Sequence, residues 1–317
     1  MDAPAAEFAF IARHFRALAG PGALALSDDA AVFMPPAGRA LVVAADAMVS
    51  GVHFLPDDPP DTVGRKLLRV NLSDLAAMGA VPLGYLMTLS VPPELPSDWF
   101  AGFAAGLASD QTRYELSLLG GDTTGTSGPL VLSLTILGHV APGAALRRNG
   151  ARLGDGIWVT GTIGDATLGL ACLQGTLADP TGHLSDRYRL PQPRLGLSLA
   201  GIAHAAIDVS DGLVQDLGHL CRESGIGARI EAARVPASPA ATAAGPTWLE
   251  RRLTGGDDYE LLLAVPPEME AALCAAAASA GVAVTRIGTF ESGLDGVHVL
   301  DPDGEALTIA RPGWSHF

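Results

Sequence analysis

The chain of 317 residues holds a single lysine, Lys66, and no Gly-Lys pair. A phosphate-binding loop of the Gly-x-x-x-x-Gly-Lys-Ser/Thr type is therefore excluded, because that loop needs its lysine on the phosphates. The protein-kinase lysine is excluded too, since it sits on a strand and Lys66 falls in the helical pattern RKLLRV. Cysteine is scarce: Cys172, Cys221 and Cys274 are an odd count without metal-ligand spacing. Each lies in an apolar or alanine-rich helical stretch, which predicts buried structural thiols. Basic side chains are few, 20 Lys+Arg against 34 Asp+Glu, for a net charge of −14. That balance argues against a nucleic-acid partner, which selects a basic face. No apolar run is long enough to span a membrane, and Met1 to Phe10 carries acidic residues without a basic stretch. A cytoplasmic protein with neither membrane nor nucleic-acid partner is the expectation.

What is present is a hydrophobic content of 48% with 17% charged residues, enough for a substantial core. Phe8, Ile11, Phe15 and Leu18 recur at helical spacing and predict a helix over residues 8–19. Strands are expected at Ala30–Met34 and Ala40–Ala44, and an extended stretch at Val49–Leu55. A long helix should run from Asp61 to Met78 and stop at Gly79. Leu83–Val91 reads as a strand and Asp98–Tyr114 as a helix. Leu116–Leu119 and Leu130–Val140 read as strands flanking GGDTTGTSGP. Beyond residues 141–150 strands and helices alternate: Ile157–Thr160, Ala166–Gln174, Ala205–Val209, Leu213–Ser224, Glu260–Val265, Pro267–Ala280 and Val282–Ile287. Ala232–Pro246 reads as surface loop or frayed helix. Such alternation predicts an α/β protein, with α+β layering, in two domains: 1–142 and 143–317.

The aspartates stand out by context. Asp28 and Asp29 in SDDA, Asp46 in VVAADAMV, Asp122 in GGDTT, and Asp208 and Asp211 in IDVSDG each follow an apolar stretch beside small residues. A lone aspartate there is usually a turn former or helix cap. The same chemistry in several strand-end loops, where α/β proteins bind ligands, points to a site. Asp74 lies inside a helix in NLSDLAAMGA, one turn from Asn71, and must be paired, hydrogen-bonded or metal-bound. A salt bridge to Lys66 or a nearby arginine is the structural alternative. Clustered carboxylates favour a hard cation such as Mg²⁺ over zinc. His53 in SGVHF is either a substrate contact or a satisfied loop histidine. TGTIGD, Thr160–Asp165, opens a helix whose amides could cradle phosphate, or is a plain tight turn. GGDDYE packs three carboxylates into four residues. Without a lysine, metal and arginine would have to neutralise any nucleotide, and Arg147 and Arg148 are the best-placed arginines.

SDDAAVF, DAMVSGVHF, NLSDLAAMGA, GGDTT, TGTIGD, IDVSDGL, GGDDYEL and the terminal GWSHF stand in an order that resembles the thiamine-monophosphate kinases over nearly the whole chain. The wider superfamily shares NLSDLAAMGA, GGDTT and SDGL. GVHF, GGDDYEL and the terminal HF point to the kinase branch. The resemblance implies a two-domain aminoimidazole ribonucleotide synthetase-like fold, a homodimer formed through the N-terminal domains, and ATP-dependent, magnesium-assisted phosphorylation of thiamine monophosphate. It implies metal ligation by Asp29, Asp46, Asp74, Asp122, Asp208 and Asp211. Nucleotide contacts fall at Gly121, Asp122, Arg148 and Ser210, with Asp122 and Arg148 catalytic. Substrate contacts fall at His53, Asp257 and Trp314. Ser27, Ala44, Ala45 and Asp257 depart from the family pattern, and Ala45 removes a hydroxyl that could ligate metal. The alternatives are another ATP-using member of the superfamily, or an inactive protein that binds nucleotide or thiamine phosphate.

Overall fold

The computed structural model describes residues 6–315, and its chain divides into two compact units. The first comprises the residues up to Leu75 with Ala80–Gly143; the second comprises Ala76–Gly79 with the residues from Ala144 onward.

In the first unit, α1 (Ala6–His14) is followed by β1 (Ala40–Val49), α2 (Pro60–Ala77), β2 (Val81–Val91), α3 (Ser97–Tyr114), β3 (Ser117–Gly125) and β4 (Val131–Val140). The sheet order is β1-β4-β2-β3, with β2 and β3 parallel and the other pairs antiparallel. Helix α2 buries Leu67, Leu68, Leu72 and Leu75, and α3 buries Phe100, Phe103 and Leu107. Strand β4 alternates strictly between buried and half-buried positions, the period of a sheet with one covered face. Gly79, with φ 68°, ends α2: its N–H donates to the Ala76 carbonyl and that of Ala80 to the Leu75 carbonyl. The buried Arg69 guanidinium pairs with the buried Asp110 carboxylate and ties α2 to α3.

The second unit contains β5 (Gly156–Thr160), α4 (Asp165–Leu173), α5 (His183–Arg189), β6 (Ala205–Asp208), α6 (Leu213–Ser224), β7 (Gly227–Glu231), α7 (Pro239–Ala243), α8 (Leu249–Thr254), β8 (Leu261–Val265), α9 (Glu270–Ala280), β9 (Val284–Glu291) and β10 (Val297–Leu300). Its sheet runs β10-β7-β9-β5-β8-β6; β10 and β7 are parallel and the rest antiparallel. β5 and β8 are buried along their whole length, as central strands covered on both faces must be. The apolar stripe Leu213, Val214, Leu217, Leu220 and Cys221 packs α6 onto that sheet.

Several expectations change. Residues 30–34 form no strand, and Val32 and Met34 are 71% and 92% exposed there. The first helix ends at His14 and continues as a 3-10 turn over Arg16–Leu18. β1 extends to Val49, so Asp46 lies within a strand, and β3 runs on through Gly125, so Asp122 is a strand residue as well. In Ala232–Pro246 the hydroxyl of Ser238 accepts the Ala241 N–H and caps the short helix α7. Cys221 is buried, but Cys172 is half-buried and Cys274 is exposed on α9, because an alanine-rich helix gives little sign of which face is covered. The terminal His316 and Phe317, like residues 1–5, lie outside the described residues.

Candidate active site

In the first unit, Asn71 of α2 holds the backbone of Asp46 on β1. The Asn71 Oδ1 accepts the Asp46 N–H at 3.1 Å, and its Nδ2 donates to the Leu67 carbonyl at 2.9 Å. Asp74 is half-buried one turn further along α2, on the same side as Asn71. Asp122 is exposed on β3 opposite Thr88 of β2, and its Oδ1 accepts the Thr123 N–H. The preceding residue has to be glycine: a Cβ on Gly121 would lie 1.8 Å from the Met87 carbonyl oxygen. Asp29 is exposed in the loop after Ser27. His53 lies in the turn after β1, where its Nδ1 accepts the Val49 N–H at 3.0 Å; that bond places the ring proton on Nε2. The lone lysine is buried, and its Nζ donates to the His53 carbonyl at 2.9 Å. It therefore acts on the turn that carries the histidine.

In the second unit the backbone knits three segments together. The loop Val209–Gly212 joins β6 to α6. Its amides at Ser210, Asp211 and Gly212 all donate to one oxygen, Oδ2 of the buried Asp216, at 3.1, 3.0 and 3.1 Å. The Ser210 carbonyl accepts the Asp257 N–H at 2.8 Å, and the Asp211 carbonyl accepts the Trp314 N–H at 2.9 Å. Val209 exchanges bonds with the Tyr259 N–H and the Glu260 carbonyl, 2.8 Å each. Asp208, Ser210, Asp211, Asp257 and Trp314 are thus gathered, and the loop's polar backbone groups are consumed internally. What Ser210 and Asp211 can offer a ligand is their side chains. Gly256 fits only as glycine, since a Cβ there would meet the Ser210 carbonyl oxygen at 2.2 Å. Asp257 and Tyr259 hold φ of 74° and 51°, a left-handed backbone that non-glycine residues seldom adopt.

Asp216 was not singled out by the sequence; an aspartate in the first turn of a helix reads as ordinary dipole compensation. Its signal is the spacing SDGLVQD, which lets one carboxylate fold back over three successive amides. Burial, and then the charge of Asp208, push its carboxyl up to about 8, while the amides of Asp211 and Gly212 oppose the shift. The shift has a plain cause: two neighbouring buried carboxyl groups do not both ionise readily, so Asp216 holds its proton at neutral pH.

The other two carboxylates of GGDDYE are structural. Asp258 is fully buried and accepts the Gly164 N–H at 2.6 Å and the Ala166 N–H at 3.2 Å. It caps α4, so these two amides of the glycine-rich TGTIGD turn serve a protein carboxylate rather than phosphate. Burial foremost pushes the Asp258 carboxyl up to about 8. Glu260, also fully buried, accepts the Thr160 hydroxyl and bonds from Arg187 and Arg194. Arg148 is exposed, its carbonyl held by the Ser224 hydroxyl. Its charge reaches His219 on α6: burial lowers the His219 pKa, Arg222 and Arg148 lower it further, and Asp211 acts against them. Arg148 and Asp211 therefore flank the same helix.

Among the described residues no three His, Cys, Asp or Glu side chains converge closely enough to hold an ion unaided. The donor set nevertheless fits a hard cation: it is all carboxylate, and Mg²⁺ characteristically takes one or two carboxylates and completes its shell with water and phosphate oxygens.

Comparison with known proteins places this geometry in context. Residues 27–140 match the N-terminal domain, and residues 152–301 the C-terminal domain, of AIR synthase related protein. The chain is 46% identical over 324 aligned residues to the thiamine-monophosphate kinase of Caulobacter vibrioides, covering 99% of this chain and 92% of that one. The crystal structure of thiamine-monophosphate kinase from Stenotrophomonas maltophilia is 44% identical, with a TM-score of 0.80 over 89% of this chain and 91% of that one. A second solved structure, AaThiL complexed with AMPPCP and TMP, is 31% identical with a TM-score of 0.78 over 92% and 91% of the two chains.

Proposed function

We propose a division of labour among the site residues of this chain, which belongs to the thiamine-monophosphate kinase branch of the AIR synthase-related family and has its two-domain α/β fold with two mixed sheets. The reaction is the ATP-dependent phosphorylation of thiamine monophosphate to thiamine diphosphate. The nucleophile is a phosphate oxygen of the substrate. A phosphate monoester has a second pKa of about 6, so it is largely dianionic at neutral pH and needs no general base. The obstacle is electrostatic, because a dianion must approach an anionic nucleotide. Bound Mg²⁺ would supply the charge neutralisation that phosphoryl transfer requires. Several ions are proposed: Asp29, Asp46, Asp74 and Asp122 are the candidate ligands of the first unit, and Asp208 and Asp211 those of the second.

The remaining residues bind and orient. Arg148 meets developing charge on the transferring group. Gly121, Asp122 and the Ser210 hydroxyl contact the nucleotide. His53, through Nε2–H, Asp257 and Trp314 contact thiamine monophosphate. The indole suits a cationic thiazolium or a pyrimidine face. The observation that carries this reading is the backbone knot at Val209–Gly212, which links a carboxylate-bearing loop to Asp257 and Trp314 in one hydrogen-bonded unit. The test is direct: purified protein with Mg·ATP and thiamine monophosphate should yield thiamine diphosphate and ADP. Folded protein that gives neither would refute the reading.

A homodimer through the first unit belongs to the same proposal. Leu41 and Val43 of edge strand β1 and Leu86 of β2 are 48%, 60% and 41% exposed, and the register through β4 sets them on one sheet face. An apolar sheet face of this kind suits a second copy. Val43→Asp should shift the sedimentation profile from dimer to monomer; an unshifted profile would remove this face from the interface. Among the described residues no helix is long and apolar enough to cross a membrane. A cytoplasmic location, where ATP is at hand, completes the proposal.

A further inference from the structure

Trp314 is the last large side chain before the end of the described residues, and 53% of it is exposed. An exposed residue in a C-terminal tail is ordinarily poorly ordered unless its backbone is tied down. Here it is tied on both sides. Its N–H donates to the Asp211 carbonyl at 2.9 Å, and its carbonyl accepts from Nε2 of Gln215 at 2.6 Å. Asp211 and Gln215 are one helical turn apart at the start of α6, so together they form a two-point clamp on a single peptide segment. The approach is close. A Cβ added to Gly313 would lie 2.5 Å from the Gln215 Cβ and 2.6 Å from the Asp211 carbonyl oxygen. Only glycine lets the tail settle this deeply against the helix.

We infer that Gln215 is a positioning residue for thiamine monophosphate, seating Trp314 by clamping the tail to the loop that carries Asp211. This rests on the reading of Trp314 as a substrate contact. Gln215 touches no reacting atom; it acts by removing the freedom of the tail, so that the indole is ordered before substrate arrives. The other arm of the clamp is the carbonyl of Asp211, a main-chain contact that Gln215→Ala leaves in place. Asp216 extends the same unit by holding the amides of that loop.

The experiment is a kinetic cycle on the full-length enzyme with Gln215→Ala, Trp314→Ala and the double variant, measuring KM for thiamine monophosphate and for ATP separately, with kcat. Gln215→Ala should raise KM for thiamine monophosphate about tenfold, leaving kcat and KM for ATP within about twofold. On the Trp314→Ala background it should add nothing, since the clamp has only the indole to place. Gln215→Arg, which restores a donor toward the Trp314 carbonyl, should recover most of the loss. A merely structural role would instead change all three kinetic constants, and would be additive with Trp314→Ala. If Trp314→Ala raises KM for thiamine monophosphate and Gln215→Ala does not, the clamp is refuted while the substrate role of Trp314 stands. If Trp314→Ala itself leaves that KM unchanged, the substrate role fails and takes the clamp with it. Hydrogen exchange gives an independent readout: the Trp314 amide should exchange faster in Gln215→Ala, and equal rates would overturn the clamp directly.

Discussion

Removing the Asp258 carboxylate should destabilise the second unit without touching a hydrophobic contact. The two amides it accepts, those of Gly164 and Ala166, open α4 in a fully buried setting with no water to replace the lost acceptor. A buried amide left unsatisfied costs about 1–3 kcal/mol, and loss of a helix cap typically about 1 kcal/mol. These overlap, because the amides are the cap. Asp258→Ala should therefore lower unfolding stability by about 2–4 kcal/mol. Asp258→Asn keeps one oxygen as acceptor but turns an NH₂ group toward the second amide, and should lose about half as much. Urea denaturation followed by tryptophan fluorescence is the assay, since Trp158 and Trp248 both belong to this unit. An Asp258→Ala variant within about 0.5 kcal/mol of wild type would show that the cap contributes nothing to stability.

The same carboxyl sets a pH dependence. Its pKa is about 8 when folded against about 3.9 in an unfolded chain. Between those values the folded state holds a proton that the unfolded chain has released, so this contribution to stability falls as pH rises, by up to about 1.4 kcal/mol per pH unit. Asp258→Asn should lessen the fall in stability between about pH 5 and 8, leaving the part that Asp216 contributes; an unchanged slope in denaturation experiments would show that Asp258 binds no such proton. Asp46→Asn and Asp122→Asn should each abolish turnover with folding intact by circular dichroism, and wild-type activity in either would remove that residue from the metal-binding proposal. Trp314→Ala should raise KM for thiamine monophosphate more than KM for ATP, and an equal rise in both would count against substrate contact.

Much of the fold was legible from local pattern. The long helix α2 with its glycine stop, the two aromatic-rich turns of α3, and α6 with its apolar stripe are strongly periodic, and each forms close to its expected bounds. Failures came where tertiary context overrides local preference. Residues 30–34 have strand composition, yet no neighbouring strand receives them. Strand β3 was expected to end before GGDTT, because glycine and aspartate read as turn formers. Pairing with β2 carries it through, and Gly121 is there for close strand approach rather than for a turn. Short elements such as α5, β7 and β10 lie in weakly patterned stretches and depend on packing for their existence.

By itself, then, the sequence determined the class, the absence of a phosphate-binding-loop lysine, and the kinase branch, because these are properties of residue identity and order. Only the tertiary structure could sort the acidic residues by role. Asp257, Asp258 and Glu260 are near neighbours in one motif. The fold turns Asp258 to the start of α4, holds Glu260 against two arginines, and hangs Asp257 on the Ser210 carbonyl. Asp216, unremarkable in sequence, proves to be the acceptor that shapes the loop bearing Ser210 and Asp211. A carboxylate's role depends on which donors surround it and how far water is excluded. For Asp258 and Glu260 both are set by residues distant along the chain, and neither can be read from the immediate neighbours.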